Sequence, residues 1–191
     1  KLHISFINFK LRHICVFSIK KLMKSKGNIV FLGMMGSGKT SVGKLISKKL
    51  RLDFFDIDQQ IEKKLNMEIL KIFREKGELF FRKIEEKITL DILKKKNIII
   101  SLGGGGFLNK NIRKEILINH TSIWLNWDNQ TIIDRIKNSK KRPLAFNLSK
   151  DDLDQLIKKR SYTYSKSLHK INCNHLSKNE VVNKVLKIYE N

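Results

Sequence analysis

A glycine-rich segment followed by a lysine and a threonine carries the clearest chemical signal in the chain. It runs from Gly33 to Thr40 as GMMGSGKT, after an apolar stretch at 28–32 and before a stretch at 41–50 with apolar residues at helical spacing. A strand, a glycine-rich turn and a helix in this order form a phosphate-binding loop, in which backbone N–H groups and the helix N-terminus attract an anion. The sequence therefore predicts that the chain binds a nucleoside triphosphate.

Two side chains of this loop have chemistry of their own. Lys39 offers a mobile positive charge to the β- and γ-phosphates, and the Thr40 hydroxyl offers an oxygen to Mg²⁺. The alternative to a phosphate-binding loop is an ordinary tight turn between a strand and a helix. Such a turn would not explain why the sequence matches the motif at every fixed position. The predicted nucleotide-binding residues of the loop are Gly36, Ser37, Gly38, Lys39, Thr40 and Ser41.

An acidic pair and a glycine run follow the next two predicted strands. Asp56 and Asp58 end the second predicted strand, 52–58, where carboxylates one residue apart on an extended segment point to the same side. One carboxylate could hold Mg²⁺ through water and the other could meet a substrate hydroxyl; an acidic helix N-terminus is the alternative. The glycines at 103–106 follow the third predicted strand, 97–102, and offer accessible N–H groups to a polar ligand.

Strands and helices alternate along the rest of the chain. Such alternation predicts an α/β domain with a parallel sheet covered by helices on both faces, and ligands at the carboxyl ends of the strands. The remaining predicted strands are 122–125 and 170–173, and the remaining predicted helices are 59–65, 80–93, 111–118, 131–137, 151–167 and 179–189.

Composition indicates a single globular domain, because the chain has 191 residues and 41% of them are hydrophobic. Cys15 and Cys173 are its two cysteines, and they give neither a disulfide framework nor a metal-binding spacing, which is typical of a reducing compartment. The net charge of +22 could indicate a nucleic-acid partner. Lysines are abundant along the whole chain, however, and no nucleic-acid motif accompanies them. We therefore expect a lysine-rich solvated surface and no specific nucleic acid.

The first 26 residues are expected to be a basic leader, outside a single domain at 27–191. They contain seven basic and no acidic residues, and their apolar part is broken by charged residues and histidines, so they make a poor membrane span. Met23 stands just before the first strand, which favours non-native or upstream sequence ahead of a start at Met23. An organelle transit segment is the alternative.

Six segments, taken in order, resemble the shikimate kinase family. They cover about residues 28–188, nearly all of the chain beyond the leader. The phosphate loop is common to many enzymes, whereas the segment around Arg82 and the glycines after Leu102 are more discriminating. The segments are Gly33–Thr40, Asp56–Asp58, Phe81–Glu85, Ser101–Gly105, Arg142–Leu144 and Lys159–Tyr162.

This resemblance implies a fold and an activity. The fold would be a nucleoside-monophosphate-kinase-like α/β domain, with a five-stranded parallel sheet, helices on both faces and a mobile lid. The activity would be ATP-dependent phosphorylation of shikimate to shikimate 3-phosphate with release of ADP, a step in aromatic amino-acid biosynthesis. Mg²⁺ as cofactor, ATP as co-substrate and a cytoplasmic monomer are implied with it.

The resemblance also implies a substrate site. Asp58 would bind shikimate hydroxyl groups and orient the attacking one or accept its proton. Arg82 and Arg160 would clamp the substrate carboxylate, while Glu85 would orient the arginine and hydroxyl groups and the Gly105 N–H would face another hydroxyl. The implied substrate-binding residues are Asp58, Arg82, Glu85, Gly103, Gly104, Gly105 and Arg160.

On the nucleotide side, the resemblance places Arg142 on the lid, where it would reach the transferred phosphate. Arg135 would lie against the adenine, and Asp56 would hold the metal through water, beside Thr40. Pro143 fits a lid boundary because it fixes the backbone where a mobile loop becomes ordered. The implied catalytic residues are Lys39, Asp58 and Arg142.

Two other functions remain open. A gluconate or nucleoside monophosphate kinase shares the loop and lid but needs other acceptor contacts, and Arg82, the glycines at 103–105 and Arg160 favour a carboxylated polyol. A nucleotide-dependent nucleic-acid-binding protein would instead show salt-sensitive affinity for DNA or RNA and no acceptor-stimulated release of ADP.

Overall fold

The computed structural model describes residues 27–137 and 148–190. These residues contain five strands, seven α-helices and one 3₁₀ turn (Gly106–Leu108). The strands are β1 (Ile29–Leu32), β2 (Asp53–Asp56), β3 (Ile98–Ser101), β4 (Thr121–Asn126) and β5 (His169–Asn172). The helices are α1 (Lys39–Leu50), α2 (Ile57–Leu65), α3 (Ile69–Leu93), α4 (Lys110–Asn119), α5 (Asn129–Lys137), α6 (Lys150–Tyr164) and α7 (Lys178–Glu190).

The strands form one sheet in the order β2-β3-β1-β4-β5, and every neighbouring pair is parallel. The predicted α/β class and five-stranded parallel sheet are confirmed. β1 lies at the centre of the sheet. The connection after β1 runs to β2 on one side of it, whereas the connection after β3 crosses to β4 on the other side. This change of direction opens a crevice at the carboxyl ends of the strands. The phosphate loop follows β1 and therefore lies at that crevice.

Alternating side chains on the strands build a core on each face of the sheet. Val30 and Leu32 point to the face that α2 to α6 cover, where Ile61 and Phe81 belong to the same core. On the opposite face, Phe31 packs in a second core with residues of α1 and α7. Helices on both faces bury the central strand completely, which explains why the sequence of β1 is apolar throughout.

The second strand is shorter than predicted, and this changes the position of Asp58. β2 ends at Asp56, and Asp58 lies in the first turn of α2. The prediction that both carboxylates share one extended segment was therefore wrong, because Asp58 lies in the first turn of a helix. The cause is local: Asp56 caps α2 by accepting a hydrogen bond from the Gln59 N–H through Oδ1, at 3.4 Å, so the helix begins earlier.

Helix α3 begins at Ile69, eleven residues before the predicted start at Phe80. Gly77 interrupts it with φ of 79° and ψ of 168°, a backbone conformation that glycine adopts at little cost. The helical pattern read from the sequence corresponds to the part after this kink. The kink places Glu78 at the start of that part, one turn before Arg82.

Two predicted segments lie outside the described residues: the basic leader at 1–26 and the lid that would carry Arg142 and Pro143. Within residues 27–137 and 148–190, no helix combines the length and apolar character needed to cross a membrane.

Candidate active site

The phosphate loop joins β1 to α1 with three glycines at positive φ, Gly33 at 139°, Gly36 at 82° and Gly38 at 88°. A Cβ at Gly38 would meet no atom within 4 Å, so glycine is required there by conformation and not by space. Helix α1 begins directly afterwards at Lys39, which aims its first N–H groups into the loop. Trp127 steadies the turn, because its Nε1 donates to the Ser37 carbonyl at 2.9 Å.

Lys39 spans the mouth of the loop. Its Nζ donates to the Gly33 carbonyl at 2.8 Å and to the Met34 carbonyl at 2.9 Å, and the residue is 8% exposed. These contacts hold the ammonium group beside the curled backbone, where it and the loop amides could face the same anion.

Thr40 and Asp56 are brought together although sixteen residues separate them. Thr40 Oγ1 donates to Asp56 Oδ2 at 2.6 Å, and Ser101 Oγ lies 3.5 Å from the same hydroxyl. Among the described residues, no group of three or more His, Cys, Asp or Glu side chains could hold a metal ion. One carboxylate and a hydroxyl beside a phosphate loop fit Mg²⁺, which binds few protein oxygens and completes its shell with water and phosphate.

A cavity of about 240 Å³ lies next to the loop, bordered by Ser37, Ser41, Trp127, Arg135 and Cys173 among others. The Arg135 guanidinium lies 3.8 Å from the centre of the Trp127 ring and donates to the Gly36 carbonyl at 3.2 Å. A flat, cationic and aromatic wall of this kind suits a nucleobase. Sequence reasoning placed Arg135 here and missed Trp127, for which no motif gives a signal.

The glycine run after β3 packs against charged side chains on three sides. A Cβ at Gly103 would lie 2.7 Å from both Asp58 Oδ1 and Glu85 Oε1. One at Gly105 would lie 2.5 Å from Arg82 Nη1, and one at Gly104 would lie 3.2 Å from Arg160 Nη1 and 3.5 Å from the backbone nitrogen of Met35. The absence of side chains here therefore lets two carboxylates and two guanidinium groups approach the backbone of the glycine run, which itself adjoins the phosphate loop at Gly104.

Arg82 lies between two carboxylates of its own helix. Its Nη1 donates to Glu85 Oε2 at 2.6 Å, and its Nε and Nη2 donate to Glu78 Oε1 at 3.2 and 3.1 Å. The Glu85 side chain is 2% exposed, whereas that of Glu78 is 58% exposed. Glu85 therefore orients the guanidinium from the buried side, and Glu78, which sequence reasoning missed, contacts its outer edge.

Arg160 projects from α6 into the same region and is 5% exposed. Its Nη1 lies 3.9 Å from Met34 Sδ, and its Nε has no hydrogen-bond partner in the described part of the chain. Glu85 Oε1 is likewise buried without a partner there. Buried polar atoms are nearly always paired, so these two atoms mark groups that are available to a polar ligand.

Among the carboxyl groups of the site, that of Asp58 has the most strongly shifted pKa. Desolvation is the main cause, and the nearby charges of Asp56 and Glu85 add to it, so the pKa of Asp58 rises to about 6, while Lys39 opposes the rise. The residue nonetheless keeps part of its surface exposed to solvent. Burial also raises the pKa of Glu85, against the opposing charges of Arg82 and Arg160.

Comparison with known proteins agrees with this arrangement. The sequence model of the shikimate kinase family matches residues 35–190. The chain belongs to the shikimate kinase family. It is 43% identical over 166 residues to shikimate kinase of Bacillus subtilis (strain 168), covering 84% of this chain and 87% of that protein. It is 35% identical over 184 residues to shikimate kinase of Bartonella quintana (strain Toulouse), covering 94% and 88%.

The fold agrees as well. The structure of a shikimate kinase from Acinetobacter baumannii in complex with shikimate matches with a TM-score of 0.82 at 27% identity, covering 88% of this chain and 95% of that one. As a shikimate kinase family member, the chain is a phosphotransferase that phosphorylates shikimate with ATP as co-substrate, in the biosynthesis of aromatic amino acids. The family favours shikimate as acceptor over gluconate or a nucleoside monophosphate.

Proposed function

We propose that the γ-phosphoryl group of ATP in the phosphate loop passes directly to a hydroxyl group of shikimate bound against the glycine run, giving shikimate 3-phosphate and ADP. The observation that carries this proposal is the contact between the two half-sites: Gly104 adjoins both Arg160 and the Met35 backbone of the phosphate loop. An acceptor held at Arg160 would therefore lie next to the nucleotide phosphates. Close placement of donor and acceptor is, with charge stabilisation, one of the two main contributions that an enzyme makes to phosphoryl transfer.

In this proposal the shikimate carboxylate binds between Arg82 and Arg160. Glu85 fixes the inner edge of the Arg82 guanidinium at 2.6 Å, and the acceptor would replace the exposed Glu78 at the outer edge. Arg160 brings a buried guanidinium whose Nε has no partner among the described residues. Two planar forks suit a planar carboxylate better than lysine ammonium groups would.

Asp58 is the proposed base. A pKa of about 6 leaves it ionised at neutral pH and basic enough to accept the proton of the attacking hydroxyl. The hydroxyl oxygen bonds to the γ-phosphorus, the bond from that phosphorus to the bridging oxygen of ADP breaks, and the proton passes to Asp58. The Gly103, Gly104 and Gly105 backbone shapes the adjoining wall of the cleft.

On the donor side, Gly36, Ser37, Gly38 and Ser41 would surround the phosphates, with Lys39 at the mouth of the loop. Arg135 would stack on the adenine. Thr40 and Asp56 would hold Mg²⁺, which when bound neutralises phosphate charge. Arg142, outside the described residues, is proposed to reach the transferred phosphate from a mobile lid. Charge stabilisation by such groups is worth about 2.7–4 kcal/mol for a single donor.

We also propose that residues 27–191 form the kinase domain and act as a cytoplasmic monomer without a specific nucleic-acid partner. Cys173 is free and buried, which agrees with a reducing compartment.

ADP release from ATP and Mg²⁺ tests the function, measured with no acceptor and then with shikimate, gluconate or a nucleoside monophosphate. We expect strong stimulation by shikimate alone, and none in a Lys39→Ala variant whose circular dichroism matches the wild type. Equal stimulation by gluconate would overturn the acceptor assignment. Full activity of Lys39→Ala would overturn the role of the phosphate loop.

A further inference from the structure

Tyr164 ends helix α6, one turn after Arg160, and the reaction above gives it no role. The residue is 1% exposed, and its hydroxyl donates a hydrogen bond to the Gly104 carbonyl. The same hydroxyl lies 3.9 Å from Met34 Sδ in the phosphate loop. Tyr164 therefore contacts both the acceptor side and the nucleotide side of the site.

The contact with Gly104 has a consequence for its neighbour. The Gly104 carbonyl and the Gly105 N–H belong to one peptide unit, which is planar and trans, so the two groups point in opposite directions. The described part of the chain contains no cis peptide bond. A hydroxyl that holds the carbonyl on the α6 side therefore directs the N–H away from α6. Arg82, one of the proposed carboxylate ligands, is the side chain that a Cβ at Gly105 would meet first.

This peptide unit would be easy to rotate without an anchor. Glycine stands on both sides of it, and without Cβ atoms a reversal of the carbonyl and N–H directions meets little steric resistance. Burial raises the pKa of Tyr164 to about 12, so the hydroxyl keeps its proton at the pH of catalysis. The Gly105 N–H makes no hydrogen bond within the described residues, which leaves it available to a ligand.

We propose that Tyr164 is a positioning residue for the acceptor. By holding the Gly104 carbonyl, it aims the Gly105 N–H at a shikimate hydroxyl other than the one that is phosphorylated. The proposal rests on the proposed function, because it assumes that shikimate binds along the glycine run.

The first test is Tyr164→Phe, which removes the hydroxyl and keeps the ring. We expect the shikimate KM to rise about tenfold, the usual worth of one such hydrogen bond, with the ATP KM within about twofold of the wild type. Tyr162→Phe is the matched control, because Tyr162 lies on the same helix and is 73% exposed. It should leave both KM values unchanged.

Monodeoxy analogues of shikimate separate positioning from a purely structural role. The proposal predicts that the effect of Tyr164→Phe on kcat/KM is about tenfold for shikimate and nearly absent for the analogue without the hydroxyl that Gly105 binds. An equal effect on every analogue, or an unchanged shikimate KM, would overturn it.

A second measurement needs no variant and covers the case in which Tyr164→Phe does not fold. In the wild-type chain, the ¹⁵N amide resonance of Gly105 should shift on addition of shikimate and shift much less with that same analogue. An unmoved resonance would refute the positioning role alone, provided that shikimate stimulates ADP release. A wild-type chain without that stimulation would refute the proposed function first, and this proposal with it.

Discussion

Gly103→Ala tests whether the glycine run exists to bring Asp58 and Glu85 up to the acceptor. The new Cβ would lie 2.7 Å from an oxygen of each carboxylate, whereas ordinary contact begins at 3.4 Å, so each oxygen must retreat by roughly 0.7 Å. Gly103 is buried and has no positive φ, so the change adds no backbone strain. Both clashing atoms are side-chain ends, so the protein should still fold.

Gly103→Ala should lower the catalytic rate more than it lowers the stability of the fold. A displacement of about 1 Å at a reacting group can lower a rate by about 100-fold, so we expect kcat to fall roughly 30- to 100-fold. Initial rates of ADP release at saturating ATP and shikimate measure this loss, and thermal unfolding measures Tm. Because the misplaced groups include the proposed base, the loss should appear in kcat more than in the ATP KM.

Gly104→Ala is the matched control for this substitution. Its Cβ would come no closer than 3.2 Å to Arg160 Nη1 and 3.5 Å to the Met35 nitrogen, so it should affect shikimate KM mildly and kcat little. A Gly103→Ala enzyme that folds and keeps kcat within twofold of the wild type would refute the reasoning. So would an equal loss of kcat in both variants.

Four further experiments probe the charged groups of the site. Arg160→Lys should raise the shikimate KM at least about tenfold, because a point charge cannot replace a buried fork; an unchanged KM would remove Arg160 from the carboxylate site. With the pKa of Asp58 raised to about 6, kcat/KM in a pH–rate profile should fall below about pH 6, and a profile flat down to pH 5 would exclude Asp58 as the base. The same raised pKa means that ionised Asp58 destabilises the folded state above about pH 6, so Asp58→Asn should raise Tm near pH 7.5 but not below about pH 4. Glu78→Gln should lower the shikimate KM about twofold, because Glu78 contacts the Arg82 edge that is proposed to bind the substrate. Glu75→Gln alters an exposed ion pair with Lys71 and should leave that KM unchanged. A higher KM in Glu78→Gln would show that Glu78 helps to bind the acceptor.

Much of the fold could be predicted from the sequence because the pattern is strong. Apolar runs such as 28–32 and 97–102 can only be buried strands when helices lie between them, and that arrangement gives a parallel sheet. The carboxyl ends of the strands then collect the phosphate loop, the acids and the glycine run at one edge. The structure confirms that sheet and brings Thr40 to Asp56 there.

Other features depend on tertiary context that one sequence does not display. The cap at Asp56 ends β2 early and puts Asp58 on a helix, a boundary shift of the kind that local patterns resolve poorly. The kink at Gly77 interrupts the helical spacing of α3, so the sequence pattern predicted only the part of the helix after it. Trp127 and Tyr164 act through backbone carbonyls far away in sequence, and no spacing between residues announces such contacts.

Shikimate compared with its methyl ester tests the central claim most directly, namely that Arg82 and Arg160 hold the acceptor by its carboxylate beside the phosphate loop. The measurement is kcat/KM for each compound, from ADP release by the wild-type chain. Loss of one partner of a buried charge pair typically costs about 2–5 kcal/mol, so the ester should be at least about 30-fold poorer. Equal values for the acid and the ester would contradict the account.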